Sequence, residues 1–199
     1  MKIGILISGR GSNMAAIVEA VQSGLIPDSE VIAVISDKTS AEGLIKAKER
    51  GIDTLVISRN GRTHEEHDAE VVTELKKRNV ELVCLAGYMR LLSSEFIRAF
   101  PNRITNIHPS LLPSFKGLNA QQQAIDYGVK VSGCTVHFVD EALDHGAIIL
   151  QKTVAVLDDD TAEMLSARIL EHEHALYVEA LTIIVKRNFE ILGRRVIFR

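Results

Sequence analysis

Short apolar runs alternate with charged, helix-like stretches over the first half of the chain, and this alternation restricts the fold more than any other feature. The runs are nearly continuous in apolar character, as expected for strands covered on both faces. They lie at residues 2–7, 31–36, 53–57, 81–86 and 103–107. Helical spacing appears at residues 12–23, 41–50, 64–79 and 93–99. Strand–helix–strand alternation predicts an α/β fold with parallel strands and right-handed crossovers.

The pattern changes near residue 132. Residues 133–139 and 147–154 read as two strands joined by seven residues, too few for a crossover helix, so they are predicted to pair antiparallel. Residues 160–187 read as the last helix, with acidic residues before its first turn. The predicted fold is a Rossmann-like, three-layer α/β domain over residues 1–199, with a mostly parallel twisted sheet and an antiparallel C-terminal strand.

Composition narrows the class of protein further. The chain has 199 residues, 46% of them apolar, and a formal net charge of −3. This charge argues against a general nucleic-acid binder but leaves small anionic ligands open. No apolar run is long enough to span a membrane. Cys84 and Cys134 belong to no C-x-x-C pair and are predicted to be buried free thiols in the cytoplasm. The sequence leaves a homodimer open.

Asn106 and His108 are the first candidate chemical groups, since they lie two residues apart at the end of a predicted strand. Side chains at i and i+2 of a strand point to the same face, so both can face one reacting group. Pro109 stops the strand because proline has no N–H to donate. Ligands of α/β sheets bind where strands end. The alternative is a lone histidine that caps a strand before a proline turn.

A glycine-containing loop, Ser8-Gly9-Arg10-Gly11-Ser12-Asn13, follows the first predicted strand and opens the first helix. Glycines let a ligand approach the backbone, and free N–H groups at a helix start attract anions. The loop is therefore a candidate phosphate site, although it matches neither the full dinucleotide fingerprint nor a P-loop. The alternative is a tight turn with Ser12 or Asn13 as N-cap.

Several histidines could suggest a metal site. His64 and His67 are three residues apart among acidic residues and could share a helix face. A solvated charged face is the commoner arrangement, so we predict no metal here or elsewhere. His137 is expected to be a hydrogen-bonded structural residue.

Six motifs occur in an order that resembles one family. They are Ser8-Gly9-x-Gly11-Ser12-Asn13, Ala86-Gly87-Tyr88-Met89-Arg90-Leu91-Leu92, Asn106-Ile107-His108-Pro109-Ser110-Leu111-Leu112-Pro113, Lys116-Gly117, Thr135-Val136-His137-Phe138-Val139 and Leu143-Asp144-x-Gly146. Together they resemble the folate-dependent phosphoribosylglycinamide formyltransferases, over nearly the whole chain. The resemblance implies the formyltransferase fold.

The resemblance also implies a reaction. The amine of glycinamide ribonucleotide attacks the formyl carbon of the co-substrate 10-formyltetrahydrofolate, and tetrahydrofolate leaves. Asn106 would donate an N–H to the developing oxyanion, and His108 would supply a second donor and a proton. Asp144 would stabilise the imidazolium. No covalent enzyme intermediate is expected.

Binding roles follow from the same resemblance. The ribonucleotide would be held by Gly11, Ser12 and Asn13 at its phosphate, by Glu173 at its ribose, and by Pro109 near the glycinamide. The folate would contact Arg62, Met89, Arg90, Leu91, Leu92 and Asn106. The alternative for Glu173 is a solvated helix face, and for residues 89–92 a plain strand-to-helix junction.

The chain departs from the family pattern at three places. Asn119-Ala120-Gln121-Gln122 stands where relatives often carry histidines, and Leu170 replaces a polar or basic side chain. His64 stands near the folate-contacting arginine of relatives, which is why Arg62 is considered for that contact. Three other functions stay open: a formyltetrahydrofolate deformylase, a transferase acting on initiator Met-tRNA, and a nucleotide-binding regulatory module without chemistry. The first two would be expected to carry an additional N-terminal or C-terminal domain.

Overall fold

The predicted alternation of strands and helices forms the N-terminal part of the structure. The computed structural model describes residues 1–199 and divides into two compact units, Met1–Asn106 and Ile107–Arg199. The elements that begin in the first unit are β1 (Lys2–Ile7), α1 (Ser12–Gln22), β2 (Glu30–Ser36), α2 (Glu42–Glu49), β3 (Thr54–Val56), α3 (His64–Lys77), β4 (Leu82–Leu85), α4 (Ser94–Ala99) and β5 (Ile104–His108).

The strands of the first unit follow the order β3-β2-β1-β4-β5, and every neighbouring pair is parallel. β1 and β4 lie inside this order and are almost wholly buried, which explains their continuous apolar sequences. All the strands and helices predicted for this half are present, with bounds that differ by up to two residues from those predicted.

The second unit is antiparallel in most of its pairing. Its elements are α5 (Ala120–Tyr127), β6 (Val131–Phe138), β7 (Ile148–Ala155), α6 (Ala162–Lys186), β8 (Phe189–Leu192) and β9 (Arg195–Phe198). The strand order is β6-β7-β9-β8, with β6–β7 and β8–β9 antiparallel and β7–β9 parallel. The predicted antiparallel pair and the last helix are thus confirmed, as is the mixed α/β fold class.

Three elements were not predicted. Only Ala120 and Ala124 of the eight residues of α5 are buried, so its periodicity is weak. β8 and β9 are four residues each and meet at a turn containing Gly193, which has a φ of 62°. Such short strands give little alternation to detect.

Three of the six helices begin at a residue whose side chain caps the first turn. Thr63, Ser93 and Thr161 each accept a hydrogen bond from an N–H of the first turn, at α3, α4 and α6 respectively. α1, α2 and α5 have no side-chain cap. The N-cap of α1 is Gly11, in the left-handed conformation at φ 68°. The alternative of Ser12 or Asn13 as N-cap is therefore wrong.

Both cysteines are free and buried, as predicted. Burial, reinforced by the negative charge of Glu173, raises the pKa of the Cys134 thiol to about 12, so this thiol stays protonated and unreactive at neutral pH. None of the six helices combines the length and apolar character needed to cross a bilayer. That residues 1–199 form a single domain stays a prediction.

Candidate active site

The end of β5 carries the two residues that the sequence singles out. Asn106 and His108 lie two positions apart on this strand, so their side chains leave the same face of it. The strand ends at His108, directly before Pro109. His108 is 5% exposed, and its imidazole is therefore largely enclosed by protein.

His108 has an oxygen near each ring nitrogen. Its Nε2 lies 2.8 Å from the carbonyl oxygen of Phe115, which is a good hydrogen bond. Its Nδ1 lies 3.4 Å from Oδ2 of Asp144, which is longer than a strong charge-assisted bond. A carbonyl can only accept, so Nε2 is the donor in the first contact. The Nδ1 contact is the longer of the two and is therefore the weaker restraint on the ring.

Asp144 is held in place by its own backbone and by a glycine. Its Oδ2 accepts a hydrogen bond from the N–H of Gly117 at 2.8 Å. Its backbone has a φ of 44°, in the left-handed region that aspartate tolerates better than most residues. The side chain is 10% exposed, so the carboxylate is ordered yet accessible to a small group.

The connection between β6 and β7 is built to hold Asp144. Asp140 Oδ2 lies 2.8 Å from His145 Nδ1, and Asp140 Oδ1 accepts from the Ala142 N–H at 3.1 Å. Gly146 passes so close to the backbone that an added Cβ would lie 1.9 Å from the carbonyl oxygen of Phe138. Only glycine fits there, which accounts for the Leu143-Asp144-x-Gly146 motif.

His137 lies near the Asp144 carboxylate as well, but burial keeps its ring neutral. Its Nδ1 is 2.7 Å from the Phe138 carbonyl, and its Nε2 is 3.9 Å from Asp144 Oδ1. Burial lowers the pKa of His137, against smaller raising effects of that hydrogen bond and of Asp144. The ring is therefore neutral at pH 7, with its proton on Nδ1. The expectation of a hydrogen-bonded histidine here is confirmed.

The glycine loop after β1 forms a close backbone turn. A Cβ on Gly11 would lie 2.6 Å from the Cα of Gly43, and φ at Gly11 is positive. The loop is also tied to α2, because the Gly43 N–H donates to the Gly9 carbonyl at 3.0 Å. Gly11 is thus required for packing as well as for any approach of a ligand to the N–H groups at the start of α1.

The segment after β4 presents apolar side chains to the outside. Met89 is 60% exposed and Leu91 is 61% exposed, an unusual exposure for such residues next to a buried strand. Ser8 anchors the segment: its Oγ accepts from the Met89 N–H at 3.0 Å, and its own N–H donates to the Gly87 carbonyl. Arg90 and Leu92 are half-buried.

The carboxylate of Asp68 fixes the other end of this segment. It accepts from the Ser93 N–H at 2.6 Å and lies 3.2 Å from His67 Nδ1. His67 Nε2 contacts the Ile57 carbonyl at 2.8 Å, and His64 Nε2 lies 2.5 Å from the Leu91 carbonyl. His67 and Asp68 are at most 1% exposed, so the predicted solvated face is wrong at these two positions.

The remaining predicted site residues are dispersed in both units. Arg62 forms an ion pair with Glu70 on the surface. Glu173 is 8% exposed, so its alternative as part of a solvated helix face is wrong. Pro109 is half-buried, and Leu170 is half-buried on α6. The structure holds no group of three or more metal-ligating side chains.

Sequence reasoning missed the backbone groups of the site. The Phe115 carbonyl accepts a hydrogen bond from His108, and the Gly117 N–H donates one to Asp144. Both are backbone groups, which residue types in a sequence do not reveal. The only signal was the position of Lys116-Gly117 within the motif order. Ser8 was quoted as part of the glycine loop, but its bond to Met89 was not foreseen.

Comparison with known proteins identifies the class to which this fold and site belong. The profile of the family described as formyl transferase matches residues 1–181. The chain is 44% identical over 177 residues to the phosphoribosylglycinamide formyltransferase of Haemophilus influenzae, covering 88% of this chain and 83% of that protein. The chain therefore belongs to the formyl transferase family.

Further matches in structure and sequence indicate which group of the formyl transferase family the chain resembles. Glycinamide ribonucleotide transformylase 1 of Symbiobacterium toebii has a TM-score of 0.97 and 49% identity, covering 100% of this chain and 93% of that one. The trifunctional purine biosynthetic protein adenosine-3 of Drosophila melanogaster is 46% identical over 186 residues, covering 92% of this chain, which spans 14% of that protein's length. Within the family, the chain groups with the phosphoribosylglycinamide formyltransferases and is an enzyme. The resemblance recognised from the motifs is confirmed.

Proposed function

We propose that this chain transfers the formyl group of 10-formyltetrahydrofolate to the amine of glycinamide ribonucleotide in purine biosynthesis. The observation that carries the proposal is His108, whose Nε2 is committed to the Phe115 carbonyl while Nδ1 stands 3.4 Å from Asp144. This leaves one ring nitrogen beside a carboxylate at the end of a strand, where proton transfer to a bound ligand is feasible.

The transfer proceeds by addition and elimination. The amine nitrogen forms a bond to the formyl carbon, and the carbonyl π electrons move onto its oxygen. Asn106 donates an N–H to that oxygen, and protonated His108 donates from Nδ1. Collapse of the intermediate breaks the bond to the folate nitrogen. The amine loses one proton and the folate nitrogen gains one, so no proton is consumed overall.

Asp144 supports the charged form of His108 through the intermediate. Its negative charge stabilises the imidazolium, and the Gly117 N–H holds the carboxylate at a fixed position. The carboxylate also accepts a proton from the attacking amine more readily than bulk water would. His137 cannot replace His108 as the acid, because burial lowers its pKa and keeps it neutral.

Both ligands have candidate contacts in the described residues. The N–H groups at the start of α1 would bind the ribonucleotide phosphate through Gly11, Ser12 and Asn13. Glu173 would bind the ribose hydroxyls, and Pro109 would pack against the glycinamide. Exposed Met89 and Leu91, with Arg90 and Leu92, would contact the folate, and Arg62 would reach it from the start of α3.

Cofactor, location and assembly complete the proposal. 10-Formyltetrahydrofolate serves as co-substrate and no metal takes part, since amide, imidazole and carboxylate supply the required charge stabilisation. We place the enzyme in the cytoplasm, where its free thiols stay reduced. A homodimer is testable by light scattering over a range of protein concentrations.

The test is formyl transfer in the presence and absence of the amine substrate. Purified protein is mixed with 10-formyltetrahydrofolate alone or with glycinamide ribonucleotide, and the products are followed by absorbance and mass spectrometry. We expect formylated ribonucleotide and tetrahydrofolate only when both substrates are present. Formate released without the ribonucleotide would instead indicate a deformylase, and no reaction in either mixture would reject the proposal.

A further inference from the structure

The two ring nitrogens of His108 compete for a single proton whenever the ring is neutral. Asp144 attracts that proton to Nδ1, whereas the Phe115 carbonyl attracts it to Nε2. The Phe115 contact is 2.8 Å and the Asp144 contact is 3.4 Å, so the geometry favours Nε2–H. The position of one backbone carbonyl therefore decides which nitrogen exchanges protons with a substrate.

Phe115 holds that carbonyl in a conformation that bulky residues avoid. Its φ is 52°, in the left-handed region, where a side chain crowds the following carbonyl. The neighbouring backbone offers no reason for this conformation to persist by itself, because the residue is not glycine. The His108 hydrogen bond to the carbonyl and the packing of the Phe115 side chain act together against this cost.

The restraint available to the Phe115 ring is the ring of Tyr127, at the end of α5. The two centroids are 5.9 Å apart with an interplanar angle of 64°, an edge-to-face arrangement. Both rings border a cleft of about 370 Å³, whose other walls include Leu111, Val129 and Val131. The cleft leaves Phe115 room to turn away, so the contact with Tyr127 matters for its position.

Polar bonds fix the segment before Phe115. Ser110 Oγ donates to the Ser114 carbonyl at 2.6 Å, and Thr135 Oγ1 donates to the Ser110 carbonyl at 2.7 Å. Thr135 also accepts from the Leu112 N–H at 3.1 Å. These bonds end at Ser114, one residue before the carbonyl that His108 needs. After Phe115, Gln123 Nε2 donates to the Lys116 carbonyl at 3.0 Å and the Gly117 N–H donates to Asp144. Between these fixed neighbours, the aromatic contact restrains Phe115 itself.

We propose that Tyr127 is a positioning residue for formyl transfer: its ring braces Phe115, whose carbonyl then keeps the neutral His108 proton on Nε2. When the imidazolium gives up its Nδ1 proton, the tautomer that remains is the one this carbonyl stabilises. Tyr127 itself is 80% exposed and touches no reacting atom. The effect of Tyr127 on turnover rests on the proposed function, whereas the His108 tautomer is a property of the free protein.

The test compares Tyr127→Ala with Tyr127→Phe, since phenylalanine keeps the ring and removes only the hydroxyl. Long-range ¹H–¹⁵N NMR of histidine-labelled protein reports the tautomer, and a His108→Asn variant assigns the signal. We expect Nε2–H in the wild type and in Tyr127→Phe, and a shift toward Nδ1–H in Tyr127→Ala. Turnover of Tyr127→Ala should fall roughly three- to tenfold, the size that one aromatic pair can supply, with unchanged KM values.

A second variant distinguishes loss of the Phe115–Tyr127 ring contact from a general loss of structure. Phe115→Gly keeps the left-handed backbone accessible but removes the ring. Its loss of turnover should not add to that of Tyr127→Ala in the double variant, because both changes remove the same contact. Additive losses would overturn the proposal, as would an unchanged His108 tautomer in Tyr127→Ala. If the wild type transfers no formyl group, the proposed function fails while the tautomer result still stands.

Discussion

Two histidine–carboxylate pairs in this chain share one hydrogen-bonding scheme and differ in access. In both, Nδ1 faces a carboxylate, Nε2 faces a backbone carbonyl, and the carboxylate also accepts a backbone N–H. His67 with Asp68 is sealed in the N-terminal unit, with 0% and 1% of the side chains exposed. His108 with Asp144 lies at the end of a strand, with 6% and 10% exposed.

Because the hydrogen-bonding scheme is the same in both pairs, the scheme alone does not mark the pair that is proposed to be catalytic. The sealed pair has no path to a ligand and joins α3, the end of β3 and the start of α4, so its role is stability. The second pair has a longer Nδ1–carboxylate contact, 3.4 Å against 3.2 Å, and a partly accessible carboxylate. Under the proposed function, this access and the longer contact leave the His108 proton available for transfer.

The largest effect is expected at the sealed carboxylate. Asp68→Ala leaves the Ser93 N–H and Nδ1 of His67 without their carboxylate partner in the interior, which should lower the free energy of unfolding by roughly 3–5 kcal/mol. Urea denaturation followed by circular dichroism measures this. Asp53→Ala is the control, because that carboxylate is exposed and pairs with Arg78 at the surface. Equal effects of the two changes would contradict a structural role for the sealed pair.

The next effect is expected at Asn106, two positions before His108 on β5. Asn106→Ala removes the proposed donor to the oxyanion and should lower turnover by about 10²–10³-fold. Steady-state formyl transfer measures the loss, and unchanged circular dichroism shows that the fold is intact. Turnover close to that of the wild type would remove Asn106 from the mechanism.

A smaller effect is expected at the glycine that holds Asp144. Gly117 has a φ of 78°, so Gly117→Ala strains the turn that donates its N–H to the carboxylate. Turnover should fall several-fold, for a backbone cost of about 1 kcal/mol. Gly193→Ala is the matched control, because Gly193 also has a positive φ, 62°, and no neighbour around its would-be Cβ. The prediction fails when both variants lose stability and neither loses turnover.

The smallest effect is expected at a carboxylate paired with arginine rather than histidine. Hydrogen bonds from Arg168 and from the Leu157 N–H lower the pKa of Asp160 to about 2 from its ordinary 3.8. A lowered pKa stabilises the fold above pH 3.8, and this contribution disappears as the pH falls through about 2. Asp160→Asn should therefore be slightly less stable than the wild type at pH 7 and equally stable near pH 2. Thermal melts of both proteins between pH 2 and pH 7 test this. A stability difference that stays constant over this pH range would indicate that the charge of Asp160 does not contribute.

The sequence predicted the scaffold better than the contacts made at a distance. Strands such as β1 and β4 were predictable because both their faces are buried, which forces continuous apolar runs. The i, i+2 pair Asn106 and His108 was predictable because strand geometry is local. Asp144 was expected beside His108 from the resemblance, but the backbone partners of His108 and His67 were not predictable, because each comes from another segment. Gly11 was singled out for ligand approach, yet its contact with Gly43 gives it a packing role too.

This packing role changes which variant can test the phosphate loop. Any Cβ at Gly11 would collide with the backbone of Gly43 at 2.6 Å, so a loss of ribonucleotide binding in Gly11→Val would also follow from disturbed packing of α1 on α2. Phosphate binding at Gly11, Ser12 and Asn13 stays a prediction. Calorimetry of the intact protein with inorganic phosphate is the less ambiguous approach.

The central claim is that access, rather than hydrogen-bonding pattern, separates the catalytic pair from the structural one. The most direct measurement is turnover and unfolding free energy in His108→Asn and His67→Asn. We predict that His108→Asn loses at least about 10²-fold in turnover and keeps its stability, whereas His67→Asn loses roughly 3 kcal/mol of stability and its folded molecules turn over normally. Normal turnover in His108→Asn, or loss of turnover without loss of stability in His67→Asn, would contradict the account.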